Sequence, residues 1–349
     1  MANIKDVAKM AGVSISTVSH VINGTKFVGE ELTQKVNNAI KELGYQANEM
    51  AASMKRKSTK NIGVILPNIG MVFFPDVLKG IEASAKENGY KLFYFSTDYD
   101  FEKEKEYLEL LRSGWVDGII LDSCCPVDKL EEYQEILVNK ETDRAIPVVT
   151  MEAPFTHEEL GVITPDEVGF TEEVIEHLIS IGHRDILVLT GPKEIPMYTN
   201  NIKGIKKVFE KYGMEFDEKD VLSGDYFAQS GYDAVKSALN SGKKFTALFS
   251  ANDQMAIGAM KAIKEAGKSI PGDIAVTGAD GIYVTTLIDP PLTTVELPRF
   301  EMGYCAGNLL VDMILNKQCD KKHISFEGKL IIRKSTDPNY KENWELTGW

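Results

Sequence analysis

Apolar residues recur at helical spacing in two short segments near the start of the chain. The segments cover about 4–11 and 15–23, and the turn between them contains Gly12, which frees the backbone, and Ser14, a natural N-cap. The pattern predicts a helix-turn-helix, a unit whose second helix fits the major groove of DNA. An ordinary pair of packed helices is the alternative. The apolar stripes consist of Val7, Ala8, Ala11, Val18, Val21 and Ile22.

A third helical stripe follows at about 30–43 and ends at Gly44, a residue suited to a left-handed position after a helix. The three helices predict an all-α headpiece over 1–47. The next segment, 48–60, has a short apolar face followed by basic residues, and so short a helix needs a partner to be stable. We expect a disordered linker in the free protein that becomes a helix on DNA or against its dimer mate.

From residue 61 the pattern changes to short apolar strands that alternate with helices. Strands separated by helices indicate parallel sheets with right-handed crossovers, and the two series indicate two doubly wound α/β subdomains. We expect a core over 61–336, with one subdomain at about 61–163 and 294–326, the other at about 164–293 and 327–336, and a polar tail at 337–349. The predicted strands cover about 62–66, 91–96, 118–122, 147–151, 186–190, 220–224, 247–250, 274–277, 323–327 and 330–333.

Charge divides the chain at the same place as the apolar pattern. The net charge is −13, but residues 1–60 hold nine Lys and Arg against five Asp and Glu, a net of +4, so the rest carries −17. A basic end suits phosphates, and an acidic remainder keeps the bulk of the protein off DNA.

Composition excludes several classes of protein. No apolar run is long enough to span a membrane and residues 1–9 do not form a signal peptide, so we expect a cytoplasmic protein. The four cysteines lack metal spacing, and the pair Cys124-Cys125 indicates strand-end packing. Dinucleotide, Walker, nucleophile-elbow and zinc-protease motifs are absent, so we expect neither enzyme activity nor a cofactor.

Sequence blocks in a fixed order extend over about 3–335. They include Ile4-Lys-Asp-Val-Ala, Ala11-Gly-Val-Ser, Val21-Ile-Asn-Gly, Val116-Asp-Gly-Ile-Ile, Gly182-His-Arg and Pro290-Pro-Leu-Thr-Thr. Together they resemble the lactose/galactose-repressor (LacI/GalR) family of bacterial transcription regulators. The headpiece is most similar to purine-repressor members, whereas the effector segment does not follow them. The resemblance implies a helix-turn-helix headpiece on a periplasmic-binding-protein-like core.

The resemblance also implies a function. We expect a repressor of carbohydrate-metabolism genes that binds a pseudo-palindromic operator as a homodimer, at the nucleoid, under control of a small-molecule effector such as a sugar. A purine- or phosphometabolite-responsive repressor is the alternative. A periplasmic-type sugar-binding protein is the alternative from another class, which the headpiece disfavours. The tail lacks apolar heptads, so a tetramer formed through it is not expected.

The early positions of the second helix are the expected DNA contacts. Ile15, Ser16 and His20 should face base edges, and Thr17 and Ser19 should face phosphates. Partial packing of Ile15 and a backbone-capping role for His20 are the alternatives.

The linker supplies a second set of expected contacts. The resemblance implies that Met54 stands where the family has a leucine that wedges between base pairs from the minor groove, and a thioether can do the same. Lys55 should follow the minor groove, and Ala51 should allow close approach. Alternatively, Met50 and Met54 pack the two linker helices together.

Effector residues are expected beyond the carboxyl ends of the strands, where ligands bind in open α/β sheets. Aromatic faces beside carboxylate and amide groups suit a sugar. We expect Asp253 to cap its helix, Phe73 to be either core or contact, and Asp122 to be either a cap or a contact. The resemblance implies contacts from Asp280 and Asn252 first, then Phe74, Phe73, Tyr226 and Glu152.

Asn201 stands where the family usually has an arginine that grips the effector. We count Asn201 among the effector residues, but the site loses a cation unless Lys203 or Arg184 replaces it. A neutral sugar or polyol is therefore favoured over a strongly anionic effector.

Overall fold

A computed structural model describes residues 2–24, 26–45, 58–138, 146–319 and 321–341. The chain divides into two compact units, Met1–Thr59 and Lys60–Trp349. Within the described part, no helix has the length and apolar character needed to cross a membrane.

The first unit contains the three helices that the sequence predicts: α1 (Ile4–Ala11), α2 (Ile15–Asn23) and α3 (Glu30–Leu43). Gly12 adopts a φ of +65°, a left-handed conformation that glycine tolerates, and this lets the chain turn tightly into α2. Ser14 caps α2 as predicted, because its Oγ accepts from the Thr17 amide at 3.1 Å. The fully or nearly buried core of this unit consists of Val7, Ala8, Val18, Val36 and Ala39.

The second unit alternates strands and helices. Its strands are β1 (Asn61–Leu66), β2 (Lys91–Ser96), β3 (Gly118–Asp122), β4 (Val148–Met151), β5 (Gly161–Pro165), β6 (Ile186–Thr190), β7 (Val221–Ser223), β8 (Ala247–Ser250), β9 (Ala275–Thr277), β10 (Thr294–Glu296), β11 (His323–Phe326) and β12 (Lys329–Ile331). Its helices are α4 (Phe74–Glu87), α5 (Phe101–Arg112), α6 (Leu130–Val138), α7 (Glu167–Ser180), α8 (Pro196–Lys211), α9 (Ala228–Asn240), α10 (Asp253–Glu265), α11 (Val284–Leu287) and α12 (Arg299–Ile314).

Two parallel sheets organise this unit. The larger has the order β11-β5-β4-β3-β1-β2, and the smaller has the order β7-β6-β8-β9. All neighbours in both sheets are parallel, whereas β10 and β12 form a separate antiparallel pair. The predicted fold class, an all-α headpiece followed along the chain by two doubly wound α/β halves, is confirmed.

The sequence prediction missed β5, β10 and α11. β5 reads Gly-Val-Ile-Thr-Pro, and its terminal glycine and proline interrupt the apolar signal of a buried strand. The other two have only three and four residues. The segment after β5 carries Glu167, which lines a cavity at the carboxyl ends of the strands.

Helices α4 and α12 cross closely in the first half of this unit. A Cβ atom on Gly80 would overlap the carbonyl oxygen of Phe300, and one on Gly303 would overlap that of Val77. Glycine at these two positions therefore sets the crossing distance. The late segment that contains α12 is thereby fixed to the first half of the core.

Candidate functional site

The start of α2 presents linked hydroxyl groups. Ser14 Oγ lies 2.7 Å from Ser16 Oγ and 2.8 Å from Thr17 Oγ1, so the cap also orients its neighbours. Ser16 is exposed, and Ile15 keeps 45% of its surface exposed, which leaves it available for an apolar contact. An exposed helix N-terminus lined by short polar side chains can approach a base edge or a phosphate without a bulky obstacle.

The other expected DNA-contacting residues differ in exposure. Thr17, Ser19 and His20 are half-buried along α2. Phe27, which we did not assign as a contact, is 95% exposed in the segment after α2. The predicted DNA contacts of Ala51, Met54 and Lys55, together with the predicted linker helix, lie outside the described residues.

A cavity of about 50 Å³ lies at the carboxyl ends of strands from both sheets. We call it the effector cavity. It is far smaller than the roughly 300–1,000 Å³ typical of ligand pockets, so its walls lie close together in this structure. Its lining consists of Pro67, Met71, Phe73, Phe74, Tyr99, Asp122, Ser123, Cys124, Glu152, Ala153, Glu167, Ile195, Pro196, Met197, Tyr226, Asn252 and Asp280.

Aromatic rings form much of this lining. Phe73 and Phe74 meet edge to face at 5.3 Å, and Tyr99 stacks on Tyr226 at 5.9 Å between ring centroids. Phe73 is both buried and part of the lining, so the two expected roles coincide. Tyr226 has a φ of +71°, and its buried hydroxyl group has no hydrogen-bond partner among the described residues.

Four carboxyl groups also line the effector cavity: Asp122, Glu152, Glu167 and Asp280. Asp122, Glu167 and Asp280 are buried, and Glu152 is partly exposed as a residue although its carboxyl group is enclosed. Burial raises the pKa of Glu152 to about 7 and that of Glu167 to about 8. These groups therefore exchange protons near neutral pH.

The pKa values of the two aspartates are raised by burial and by nearby carboxyl groups. Burial, reinforced by the nearby Glu152, raises the pKa of Asp122. Burial, reinforced by Asp253, raises the pKa of Asp280. Asp280 also adopts a φ of +110°, and a non-glycine residue held in such a conformation is typical of functional sites.

Asn252 lines the effector cavity, and its side chain also makes two structural hydrogen bonds. Its Oδ1 accepts from the Met255 amide at 2.9 Å, which caps α10, and its Nδ2 donates to the Tyr226 carbonyl at 2.9 Å. Our expectation that Asp253 caps this helix is therefore wrong. Asp253 instead accepts from the Ile282 amide at 2.9 Å and from Thr294 Oγ1 at 2.6 Å, so its carboxylate joins α10 to later segments of the core.

Asn201 is not among the residues that line the effector cavity, contrary to our expectation. Its side chain is fully buried between α8 and α7, where Nδ2 donates to Thr171 Oγ1 at 3.1 Å. Neither of the suggested replacement cations lines the cavity. Lys203 is exposed on α8, and Arg184 donates to the carbonyl oxygen of Ile179 at 2.8 Å.

Sequence reasoning missed Glu167 and Tyr99 in this site. Glu167 begins α7 directly after β5, so recognition of that strand would have indicated an acid at its carboxyl end. Tyr99 lies three residues after β2, in a turn with a φ of +62°. Asp122, which we left as cap or contact, lies in the lining, and its Oδ2 has no partner among the described residues.

Comparison with family models matches both parts of the chain. Residues 3–48 match the bacterial regulatory proteins of the lacI family. Residues 59–334 match the periplasmic binding proteins and sugar binding domain of the LacI family. The second match alone covers well over half of the sequence, and both confirm the resemblance seen in the sequence.

Individual relatives agree over nearly the full length. The HTH-type transcriptional repressor PurR of Proteus mirabilis (strain HI4320) is 35% identical over 347 residues, covering 96% of this chain and 97% of the relative. The HTH-type transcriptional regulator RegA of Clostridium saccharobutylicum is 33% identical over 335 residues, covering 96% and 99%.

Solved structures show the same architecture. The lac repressor dimer bound to operator and the anti-inducer ONPF has a TM-score of 0.84 at 27% identity and covers 96% of this chain and 99% of that one. The complex of the transcriptional regulator CelR with cellobiose has a TM-score of 0.71 at 27% identity, covering 96% and 100%. The chain therefore belongs to the LacI family of bacterial regulatory proteins and is a DNA-binding transcriptional repressor.

Proposed function

We propose that this repressor binds a pseudo-palindromic operator as a homodimer and that a carbohydrate in the effector cavity controls this binding. The observation that carries the proposal is the chemistry of the cavity, where aromatic rings and carboxyl oxygens converge from the strand ends of two sheets. Rings stack on the apolar face of a sugar, and carboxyl oxygens accept from its hydroxyl groups. The likeness to CelR with cellobiose supports the ligand class.

Control follows from the position of the cavity. A ligand that contacts residues after β3 and β4 as well as residues after β8 and β9 favours one relative arrangement of the two sheets. That arrangement would set the separation of the two linker segments, 48–60, in a dimer. Coupling between such sites is typically about 1–3 kcal/mol. The likeness to an operator-bound lac repressor dimer supports the two-fold assembly.

A purine effector is the second candidate, favoured by the identity to PurR over nearly the whole chain. The hydrogen-bonding inventory of the cavity disfavours it. Tyr99 donates to Met71 Sδ, Ser123 donates to Glu104, and Asn252 donates to Tyr226, so these three donors are not offered to the acceptor atoms of a purine. A ligand rich in donors fits better.

On DNA, we propose that α2 reads the major groove. Ile15, Ser16 and His20 would face base edges, and Thr17 and Ser19 would bind phosphates. The exposure of Ser16 and Ile15 supports this assignment. Replacement of a base-contacting residue should change affinity by about 1–3 kcal/mol and relax specificity at one base pair.

We also propose that Met54 wedges into the minor groove, with Lys55 along the groove and Ala51 at the close approach. An apolar wedge unstacks a base step and kinks the duplex by about 20–90°. Met54→Ala should therefore reduce the operator bend measured by circular-permutation gel shift at fixed salt, while Met50→Ala serves as the matched control. An unchanged bend angle in Met54→Ala contradicts the wedge.

The proposed function as a whole is tested by binding the full-length protein to palindromes near its own gene. Footprinting should show two protected half-sites and a stoichiometry of two chains per operator. Calorimetry with a panel of sugars and purines should then identify the ligand class. A response to purines alone, with none to any carbohydrate, reverses the effector assignment.

A further inference from the structure

The effector cavity has an unusual charge composition. Four of its lining residues carry carboxyl groups, and none of the described residues that line it is lysine, arginine or histidine. Water or protein donors must compensate buried negative charge, because its isolation from solvent costs several kcal/mol per ion. Among the described residues, Asn200 Nδ2 donates to the Glu167 carboxyl group at 2.6 Å, and burial raises the pKa of all four carboxyl groups, which lessens their negative charge near neutral pH.

Arg299 lies close to Asp280 but contacts its main chain. Its guanidinium group donates to the main-chain carbonyl oxygen of Asp280 and to the carboxylate of Asp76, 3.2 Å away. It therefore holds the turn that carries Asp280. None of the hydrogen bonds that the structure shows from Arg299 reaches the Asp280 carboxyl group.

Two polar atoms in the lining have no partner among the described residues. They are Oδ2 of Asp122, a residue with 2% exposure, and the hydroxyl group of Tyr226, a residue with 4% exposure. A buried polar atom without a hydrogen bond costs about 1–3 kcal/mol. Such atoms at a cavity wall point to a ligand that satisfies them.

A metal ion does not fit this arrangement. Among the residues that the structure describes, no group of three or more His, Cys, Asp or Glu side chains has the geometry to hold one. The carboxyl groups are distributed around a cavity that also contains four aromatic rings. An organic cation suits both features, because ring faces attract ammonium groups and carboxylates accept from them.

We propose that the effector of this repressor carries a protonated amine on a polyhydroxylated ring, with Asp122 and Glu152 as the carboxylates that receive the ammonium group. This inference rests on the proposed carbohydrate control and narrows its ligand class. Asp280 and Glu167 accept from hydroxyl groups of the same ligand. Tyr226 supplies a hydroxyl donor, and its ring stacked on Tyr99 supplies an aromatic face.

Matched ligands test the proposal by calorimetry on the full-length protein. D-glucosamine and D-galactosamine are compared with D-glucose, D-galactose and the two N-acetylated amino sugars, which lack the positive charge. An amino sugar should bind about 10- to 100-fold more tightly than both of its neutral counterparts, the range expected of a charge-assisted hydrogen bond. The diamine 1,4-diaminobutane provides the ammonium group without a ring. If it binds as tightly as an amino sugar, the polyhydroxylated ring is overturned and the effector is an aliphatic amine.

A pair of variants locates the interaction. Asp122→Asn keeps the shape of the side chain but removes its charge, so it should abolish the preference for the amino sugar over its neutral parent. Asp128→Asn removes an equal charge from an exposed residue outside the cavity and should preserve that preference. Thermal unfolding of both variants checks that they fold.

Equal binding of amino sugars and neutral sugars, or no binding of any amine, overturns the inference. If neutral sugars alone bind and alter operator affinity, the proposed function stands and the inference fails. If an amino sugar binds with the expected preference but operator affinity does not change, the inference stands and effector control fails.

Discussion

Helix α2, which we propose reads DNA, and the effector cavity hold their polar groups in opposite ways. At the start of α2, Ser14 Oγ lies 2.7 Å from Ser16 Oγ and 2.8 Å from Thr17 Oγ1, with Ser14 and Ser16 exposed and Thr17 half-buried. In the cavity, Asp122 Oδ2 and the Tyr226 hydroxyl are buried and lack partners among the described residues. The polar groups at α2 have hydrogen-bond partners without DNA, whereas two polar atoms of the cavity would gain partners from a ligand.

Because of this difference, we expect side chains on α2 and side chains in the cavity to contribute differently to binding energy. Exposed side chains on α2 exchange water for DNA, so each contributes a modest and separable amount. Enclosed carboxyl groups interact strongly with each other and with any charge that enters, so their effects are large and non-additive. Substitutions in and beside the cavity should therefore have larger effects than substitutions at α2.

The largest effect is expected at Asp253, beside the cavity. Asp253→Ala removes an acceptor from the buried Ile282 amide and Thr294 hydroxyl, so it should lower the free energy of unfolding of the core by about 3 kcal/mol. Asp253→Asn retains an acceptor oxygen and should cost less. Urea unfolding followed by tryptophan fluorescence measures both, and a loss below about 1 kcal/mol in the alanine variant contradicts the coupling assigned here.

A smaller effect is expected from pH. Burial raises the pKa of Glu167 to about 8 and that of Glu152 to about 7, whereas the unfolded chain releases these protons near the ordinary value of 4.5. Between pH 7 and 8 the folded state therefore binds more protons than the unfolded state, so stability falls as pH rises, by about 1–2 kcal/mol over this interval. His177 and His183 have lowered pKa values and titrate below this interval.

Unfolding of the ligand-free protein at several pH values measures this slope. Glu167→Gln should reduce it, because the amide cannot titrate, whereas the other buried carboxyl groups with raised pKa values keep their contribution. Glu173→Gln, on the exposed face of the same helix, should leave the slope unchanged. A stability that rises from pH 7 to pH 8 contradicts the assigned protonation.

The smallest effect is expected in the headpiece. Ser14→Ala removes the cap of α2 and its contacts to Ser16 and Thr17, so it should destabilise the headpiece by about 1 kcal/mol. Ser14→Asp restores an acceptor at the cap and should recover most of the loss. Circular dichroism melting of the full chain would record the change, and a loss comparable to that of Asp253→Ala would erase the contrast between the two regions.

The sequence predicts the headpiece in detail because its signals are local. The cap at Ser14 and the left-handed turn at Gly12 depend on residues within a few positions of each other, and both are confirmed. The parallel sheets also follow from short apolar runs separated by helices. The helix-turn-helix and the α/β class can therefore be predicted without knowledge of distant contacts.

The cavity is less predictable because its residues meet only through tertiary structure. Glu167 was missed because β5 was missed, and the expected effector contact Asn252 also caps α10 and bonds to the Tyr226 carbonyl oxygen. Asn201 was assigned from its aligned position, yet it bonds to Thr171 between two helices. Side-chain direction in these three cases depends on packing that local patterns do not encode.

The central claim is that a ligand in the acidic cavity controls operator binding by the basic headpiece. The most direct measurement is an anisotropy titration of the full-length repressor with its operator at fixed salt, with and without a saturating amino sugar. We predict a change in operator Kd of about 5- to 150-fold with the ligand, and none in the Asp122→Asn variant. The same Kd with and without a bound ligand would contradict the claim.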